Sequence, residues 1–402
     1  FGRTGTVDWV TTPKVTGDSP VTAATGSGYF LNTTAGTITI NLPAGAAGSI
    51  VSMADYAATW QTNNVTVSPN GSEKIGGIAA SSTLSTEGQS VTFVYVDSTQ
   101  GWINTMDSTS NVRGTPPFVE ASGGNTTLTV GDYKTHVFTG PGNLCVTQGG
   151  TPAGSDTVEY LVVAGGGGGG NAQGGGGASG GWRSYTALTP ATPINGPAGL
   201  PVSISCYTVT VGAGGGVAAQ GSPATFSSIT SAGGGYAPSD PGSRNGSPGG
   251  SGGGGSWGDA GSGTGGTGND PPTSPAQGTN GGNSGGPGTA YGGGGGGAIV
   301  AGNPNSNGGC GTFVDDDFFG PTAPSYGCSP GPLAPNGRYF GGGGGGRPRC
   351  AGGCGGGVGG SPLYNVPPMC GVVNTGSGGS SAYPSPAGSG GSGIVVIRYK
   401  FQ

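Results

Sequence analysis

The sequence predicts an all-β N-terminal module followed by a bundle of polyglycine II helices, neither α nor β, connected by long loops. Three observations predict it. Six stretches are almost pure glycine, at residues 165–170, 174–177, 252–255, 292–297, 341–346 and 355–357. Glycine usage is also lopsided, with 22 of the 99 glycines in residues 1–160 and 77 beyond them, where average usage is about 7%. Finally, the first half alternates apolar and polar residues with the period of a strand, and no segment has a helical period.

Composition narrows the function before any motif is considered. Hydrophobic residues make up 32% of the chain and charged residues 7%, against about 25% charge in an ordinary globular domain. No usual core of Leu, Ile and Phe can be built beyond residue 160. Residues 161–402 carry seven basic and six acidic side chains, which leaves a net charge of −6 in the first 160. With no basic patch, nucleic acid is not expected as a partner. No apolar run approaches ~20 residues, so no membrane insertion is expected either. No signal peptide is visible in the sequence, but Phe1 is not an initiator Met, which leaves open what precedes it.

The elements follow in order. Residues 1–112 read as a small β-sandwich or jelly-roll-like module. Its strands are expected at 37–42, 49–53, 65–68, 90–96 and 101–103, separated by turn signals such as Pro69-Asn70-Gly71. Residues 113–120 read as a linker. Residues 121–164 form a small β base with strands at 134–138, 143–147 and 157–163. The strongest strand signal in the chain is Gly-Ile-Val-Val-Ile-Arg-Tyr at 393–399. It is expected to return and pair with 158–163, so that 393–402 completes the base and closes residues 165–392 at their foot.

Three conformations compete for the glycine tracts. Collagen needs a strict Gly-X-Y period, which runs of six glycines and long interruptions break. A flexible linker is the plain alternative, but no linker needs so many tracts separated by aromatic-bearing loops. The third is the polyglycine II helix, with three residues per turn and no internal hydrogen bonds. Its N–H and C=O groups point outward and need partners, and without Cβ atoms neighbouring helices approach closely enough to supply them. Any inward side chain larger than Ala is expected to push such helices apart. Six residues at ~3.1 Å span about 19 Å, a sensible slab thickness.

In such a slab the loops hold the information. They run over 182–211, 217–232, 236–248, 269–280, 298–340 and 361–375, and they or their immediate flanks hold most aromatic residues beyond residue 160, Trp182, Trp257, Phe313 and Tyr364 among them. Variable aromatic loops on a rigid scaffold suit recognition.

Residues 158–164, Val-Glu-Tyr-Leu-Val-Val-Ala, run straight into a glycine hexamer; Tyr207-Thr208-Val209-Thr210-Val211 precedes Gly212-Ala213-Gly214-Gly215; and 390–399 ends the region. Over roughly residues 120–402 this resembles the glycine-rich domain of bacteriophage tail fibre proteins. The tip adhesins of T-even-type long tail fibres are similar in having a polyglycine II sandwich with host-range loops at its far end. Residues 28–34 and 93–102 also resemble a module recurrent in phage fibres. The resemblance implies a receptor-binding fibre protein of the virion, a homotrimer joined to other tail proteins on its N-terminal side. Its partner would be a host cell-surface receptor, either an outer-membrane protein or a polysaccharide. Adhesion without covalent chemistry needs no cofactor and makes the chain no enzyme.

The candidate contacts are Trp182, Phe313, Phe318, Phe319, Tyr326 and Tyr364, with Asp315, Asp316 and Asp317 as polar partners. For residues 313–319 three roles stay open: a grip on a sugar or porin loop, a hydrophobic plug under an acidic crest, or a Ca²⁺ site, although the spacing matches no EF-hand. Cys310 and Cys328 flank that loop, and a disulfide between them would stabilise it by roughly 3 kcal/mol; Cys350 or Cys354 with Cys370 would close the next. Seven cysteines leave at least one thiol unpaired within the chain. Cys350-x3-Cys354 lacks a second pair for zinc, and the single His136 is remote, so no metal site is expected. Gly282-Asn283-Ser284-Gly285-Gly286-Pro287 matches a serine-protease nucleophile loop only superficially. The Gly-x-Gly-x-x-Gly matches lack a strand–helix context.

Two other functional classes remain. A structural filament or an ice-binding protein could use the same helices, but ice binding favours a flat, regular face and these loops are irregular and aromatic. A surface-polysaccharide depolymerase needs a carboxylate pair at fixed separation, and only six acidic side chains lie beyond residue 160.

Overall fold

The computed structural model describes residues 7–108, 118–188, 193–239, 243–258, 261–286, 291–304, 307–328, 337–347, 353, 370–382 and 386–402. The chain is all-β with almost no helix, and it divides into two compact units, Phe1–Gly114 and Thr115–Gln402. The expected linker at 113–120 contains that division; its first five residues lie outside the described residues, and its last two already belong to a strand.

The described residues of the first unit hold nine strands: β1 (Asp8–Val15), β2 (Val21–Thr22), β3 (Ser27–Asn32), β4 (Ile38–Asn41), β5 (Ile50–Asp55), β6 (Val65–Ser68), β7 (Ser82–Leu84), β8 (Ser90–Asp97) and β9 (Gly101–Ser108). They form two sheets, β1-β3-β5-β8-β9 and β2-β4-β6-β7. The connectivity departs from a jelly roll. Strands β1, β3 and β5 are parallel neighbours in one sheet, and β2, β4 and β6 are parallel neighbours in the other. Parallel neighbours need a crossover between them, and here each crossover is a strand of the opposite sheet. The chain therefore winds around its own core before β7, β8 and β9 add antiparallel edges.

Alternation sets that core. Ile38 and Ile40 of β4, Val51 and Met53 of β5, and Val65 and Val67 of β6 are all fully buried, together with Leu31, Trp60 and Trp102. The buried carboxylate of Asp55 accepts the backbone N–H groups of Thr59, Trp60 and Gly88 at 3.1, 3.2 and 3.0 Å. It thereby ties two loops to the end of β5.

The second unit starts with β10 (Val119–Gly123), β11 (Thr126–Val130), β12 (Tyr133–Phe138), β13 (Gly142–Gly149), β14 (Thr157–Val163), β15 (Trp182–Tyr185), β16 (Leu200–Pro201) and β17 (Ser205–Thr210). It continues with β18 (Ala224–Phe226), β19 (Ile229–Ser231), β20 (Trp257–Gly258), β21 (Gly261–Ser262), β22 (Thr312–Asp315), β23 (Gly337–Phe340) and β24 (Ile394–Lys400). One antiparallel sheet runs β10-β13-β17-β18-β19 and a second runs β11-β12-β24-β14-β15, with β16 also on β14. The last strand inserts between β12 and β14, pairing Val163 with Ile394 and Glu159 with Arg398. Both ends of the glycine region thus leave from one sheet.

That sheet is covered on both faces. Val158, Tyr160, Val162, Val395, Ile397 and Tyr399 pack against the first sheet. Leu161, Val163, Ile394 and Val396 face the other way, onto Phe318, Phe319 and Phe340. Two buried polar networks are set into it. Arg398 donates to both carboxylate oxygens of Glu159 at 2.9 Å and lies 3.6 Å over the ring of Tyr133. His136 Nδ1 bonds the Gly123 carbonyl at 2.7 Å and must be its donor, and Nε2 lies 3.1 Å from the Tyr399 hydroxyl, which also reaches the Ala121 carbonyl at 3.2 Å.

Candidate functional site

Beyond β14 the chain runs away from the sheet through residues 164–170, turns at 171–173 and returns through 174–181 to β15. These tracts belong to neither helix nor strand, and their backbone bonds go to distant tracts. The N–H groups of Gly165 and Gly168 donate to Ser222 and Ala219, those of Gly166 and Gly169 to Gly391 and Gly388, and those of Gly167 and Gly170 to Ala178 and Gly175, all at 2.8–3.0 Å. The partner tract changes at each residue and repeats every third, and the partners descend as the tract ascends. The carbonyls follow the same rule with tracts running alongside: Gly165 and Gly168 accept from Gly234 and Ala237, Gly166 and Gly169 from Gly215 and Ala218, and Gly167 from Gly379. One tract is thus bonded to six neighbours.

This arrangement explains the composition. A methyl group at Gly166 would run into the Ser377 carbonyl, one at Gly167 into Gly235, and one at Gly176 into Gly344. Ala is not the upper limit on inward size, however. Ser179 and Ser251 are fully buried, bonded hydroxyl to hydroxyl at 2.9 Å, and Ser251 donates on to the Gly297 carbonyl at 3.0 Å. A serine fits where its oxygen replaces a partner that the tract would otherwise need.

The described part of the longest loop does not point outward. β22 and β23 pair antiparallel, and two 3₁₀ turns after β22, Asp316–Phe318 and Gly320–Ser325, pack back over the base sheet. Thr135 of β12 donates to the Phe318 carbonyl at 3.2 Å. Phe318 and Phe319 are 0% exposed, Trp182 1% and Phe313 4%. Phe319 stacks on Tyr326 at 4.7 Å, and Trp182 lies beside Phe340 at 6.1 Å. Most of the expected recognition aromatics are therefore covered: Trp182, Phe318 and Phe319 belong to the cluster on the base sheet, Phe313 packs with Tyr339 in a separate small cluster, and Tyr326 is half-covered. The cause is the outer face of β14 and β24, which needs an apolar cover that glycine tracts cannot supply. Tyr364, Cys350 and Cys354 lie outside the described residues.

The acidic crest is partly used internally. Asp315 accepts the Asp317 N–H at 2.9 Å and so caps the first 3₁₀ turn. Burial pushes the Asp316 carboxyl above its ordinary range, opposed by nearby Arg338 and reinforced by Asp315 and Asp317. Among the described residues no three His, Cys, Asp or Glu side chains gather around one point. The disulfide also falls elsewhere. Cys145 of β13 and Cys206 of β17 stand directly opposite in register and are bridged, whereas Cys328 and Cys370 are free thiols. Cys328 instead packs against Phe313 and Tyr339, so the Cys310–Cys328 bridge does not form; the expected bridge from Cys350 falls outside the described residues.

At the end away from the sheet, short turns meet. Trp257 N–H donates to the Gln173 carbonyl at 3.0 Å, Ser256 to Arg244 at 2.8 Å, Gly285 to Tyr291 at 2.8 Å and Gly292 to Arg347 at 3.1 Å. Asn171 bonds Ser239 and Ala387 there. Tyr291 is exposed, while Trp257, Arg244 and Arg347 are half-buried. Sequence reasoning counted Trp257 among the loop aromatics but preferred the aromatic-dense loop at 313–326. The useful signal was position: a large side chain just after a tract that runs away from the base.

Fold and site together define an all-β protein whose second unit is built on glycine tracts bonded backbone to backbone. The chain matches the glycine-rich domain family over residues 139–400, and it belongs to that family. No curated protein matches it.

Proposed function

We propose that the tracts are polyglycine II helices packed side by side, and that the chain is an attachment protein of the phage tail-fibre kind whose far-end turns contact the host surface. The observation that carries this reading is the three-residue repeat of bonding partners around residues 165–170. Three residues per turn is the polyproline II geometry, and a rod that offers its N–H groups in three directions and its C=O groups in three others needs six neighbours. Such a core holds its turns at fixed positions, so little freedom is lost when they bind. Trp257, Tyr291, Arg244 and Arg347 put aromatic and guanidinium groups at that end, the types that dominate interface energetics. Affinity per site would be modest, and several copies on one particle would multiply it through avidity.

Hydrogen exchange tests the rods. Amides of residues 164–181 should exchange as slowly as those of β14; exchange at the rate of a free linker would remove the mount. Attachment is tested by the fluorescently labelled chain on a panel of bacterial cells. Combining Trp257→Ala with Tyr291→Ala should lower retention on any cell that binds the parent by about tenfold or more. Undiminished retention, or no binding to any cell, overturns the attachment reading.

A further inference from the structure

A second site sits at the base end of the glycine tracts, beside the edge strand β15. A concavity of about 780 Å³ opens there between residues 220–233, 248–249 and 270–277, within the range of small-molecule sites. Among the described residues that line it, Arg183 and Asp270 carry the only charges. They are not paired with each other, and the half-buried Arg183 guanidinium has no hydrogen-bond or ion-pair partner among the described residues. We propose that this concavity binds a carboxylate-bearing sugar, a uronic acid unit.

The chemistry follows from the two charges. A guanidinium presents a planar fork of N–H donors that a carboxylate fits with two parallel bonds. The Asp270 carboxylate, which also lines the site, accepts hydroxyl protons and repels a second negative charge. A ligand with one carboxylate and several hydroxyls satisfies both, whereas a phosphate dianion satisfies only the first. The Thr230 hydroxyl lines the wall and serves either as donor or as acceptor, whereas the Thr273 hydroxyl donates within its own loop, toward Asn269 Oδ1 and the Pro275 carbonyl, and is left to accept.

The walls are built before any ligand arrives. Asn269 Oδ1 accepts the N–H groups of Thr273 and Gln277 at 3.0 and 3.1 Å. The Gln277 side chain, 1% exposed, accepts from the Ala232 N–H at 2.8 Å and donates to the Pro271 carbonyl at 2.7 Å. Its carbonyl accepts the Trp182 N–H at 2.8 Å, one residue from Arg183. Loop 269–277 is thereby tied both to the strand that carries the guanidinium and to the opposite wall, so little ordering remains to be done on binding.

The site is separate from the far-end turns and does not rest on the attachment reading. Titrating the full chain with D-glucuronate, D-glucose and inorganic phosphate, followed by calorimetry and by the Arg183 Nε–H and Gln277 side-chain NMR signals, tests it. Glucuronate should saturate and move both signals, with glucose and phosphate far weaker. Arg183→Gln should weaken glucuronate about tenfold or more, the scale of a charge-assisted pair. Arg183→Lys should fall between, and Asp270→Asn should narrow the preference over phosphate. An unchanged melting curve shows each variant folded, and the Trp257→Ala, Tyr291→Ala chain should bind glucuronate as the parent does. Equal binding of glucuronate by Arg183→Gln, of glucose by the parent, or of phosphate by the parent overturns the proposal, as does the absence of saturable glucuronate binding.

Discussion

The two units solve the same problem with opposite materials. In the first, Leu31, Ile38, Met53, Trp60 and Trp102 fill the space between two sheets, and stability comes from apolar area removed from water. In the glycine region backbone amides meet backbone carbonyls with nothing between them. An ordered residue loses about 1–2 kcal/mol of backbone entropy, and a net hydrogen bond returns about 1 kcal/mol. A lone tract therefore cannot stay ordered, while one ringed by six others comes close. Damage should run in opposite directions as well: removing atoms harms the first unit, and adding them harms the glycine tracts.

The comparison breaks first, and with the largest effect, at the oily sheet inside the second unit. Phe319→Ala empties a fully buried site and should cost about 3–5 kcal/mol, seen as a lowered unfolding midpoint of that unit. An unchanged midpoint would put Phe319 back on the surface and leave the base sheet uncovered.

Glycine substitutions sharpen it next. Gly167→Ala drives a methyl into the Gly235 carbonyl and should cost at least about 1–3 kcal/mol, the scale of overpacking. Gly216→Ala meets nothing within 4 Å and should be neutral or stabilise by about 0.4–1 kcal/mol through the unfolded chain. If urea titration shows the two alanines to be equivalent, close approach is not what selects glycine.

The smallest effect is pH-dependent. Burial, the largest cause, holds the His136 pKa below its ordinary value; Lys134 adds to this, and the Gly123 carbonyl opposes it. In the window between the lowered value and about 6.5, the unfolded chain binds the extra proton and the folded one does not, so stability falls as the pH falls. Replacing His136 with Asn should flatten the difference between unfolding midpoints at pH 7.5 and pH 5. A slope unchanged from the parent would show that His136 contributes nothing to it.

Much of the β architecture was legible. The alternation at 37–42 and 65–68 marks β4 and β6 because a half-buried strand needs it. The unbroken apolar runs at 160–164 and 394–397 mark strands buried on both faces, which pair with each other. β1 was harder to place because its exposed residues, Trp9 among them, blur the period. The parallel winding of the first unit leaves no local signal, since strand direction depends on where the chain returns. Cys145 and Cys206 are 61 residues apart, and only strand register makes them neighbours.

The amino-acid order alone settled where side chains are absent, where the strongly patterned strands lie, and that a backbone core could exist only beyond residue 160. Those properties are local, written in residue type and period. Which aromatics face water was settled by the tertiary structure. Phe319 and Tyr291 are both aromatics beside or between glycine tracts in the sequence, yet Phe319 packs onto an apolar sheet and Tyr291 stands exposed at the end of a tract. Burial belongs to the surface a residue meets, and for these loops that surface comes from residues far away along the chain.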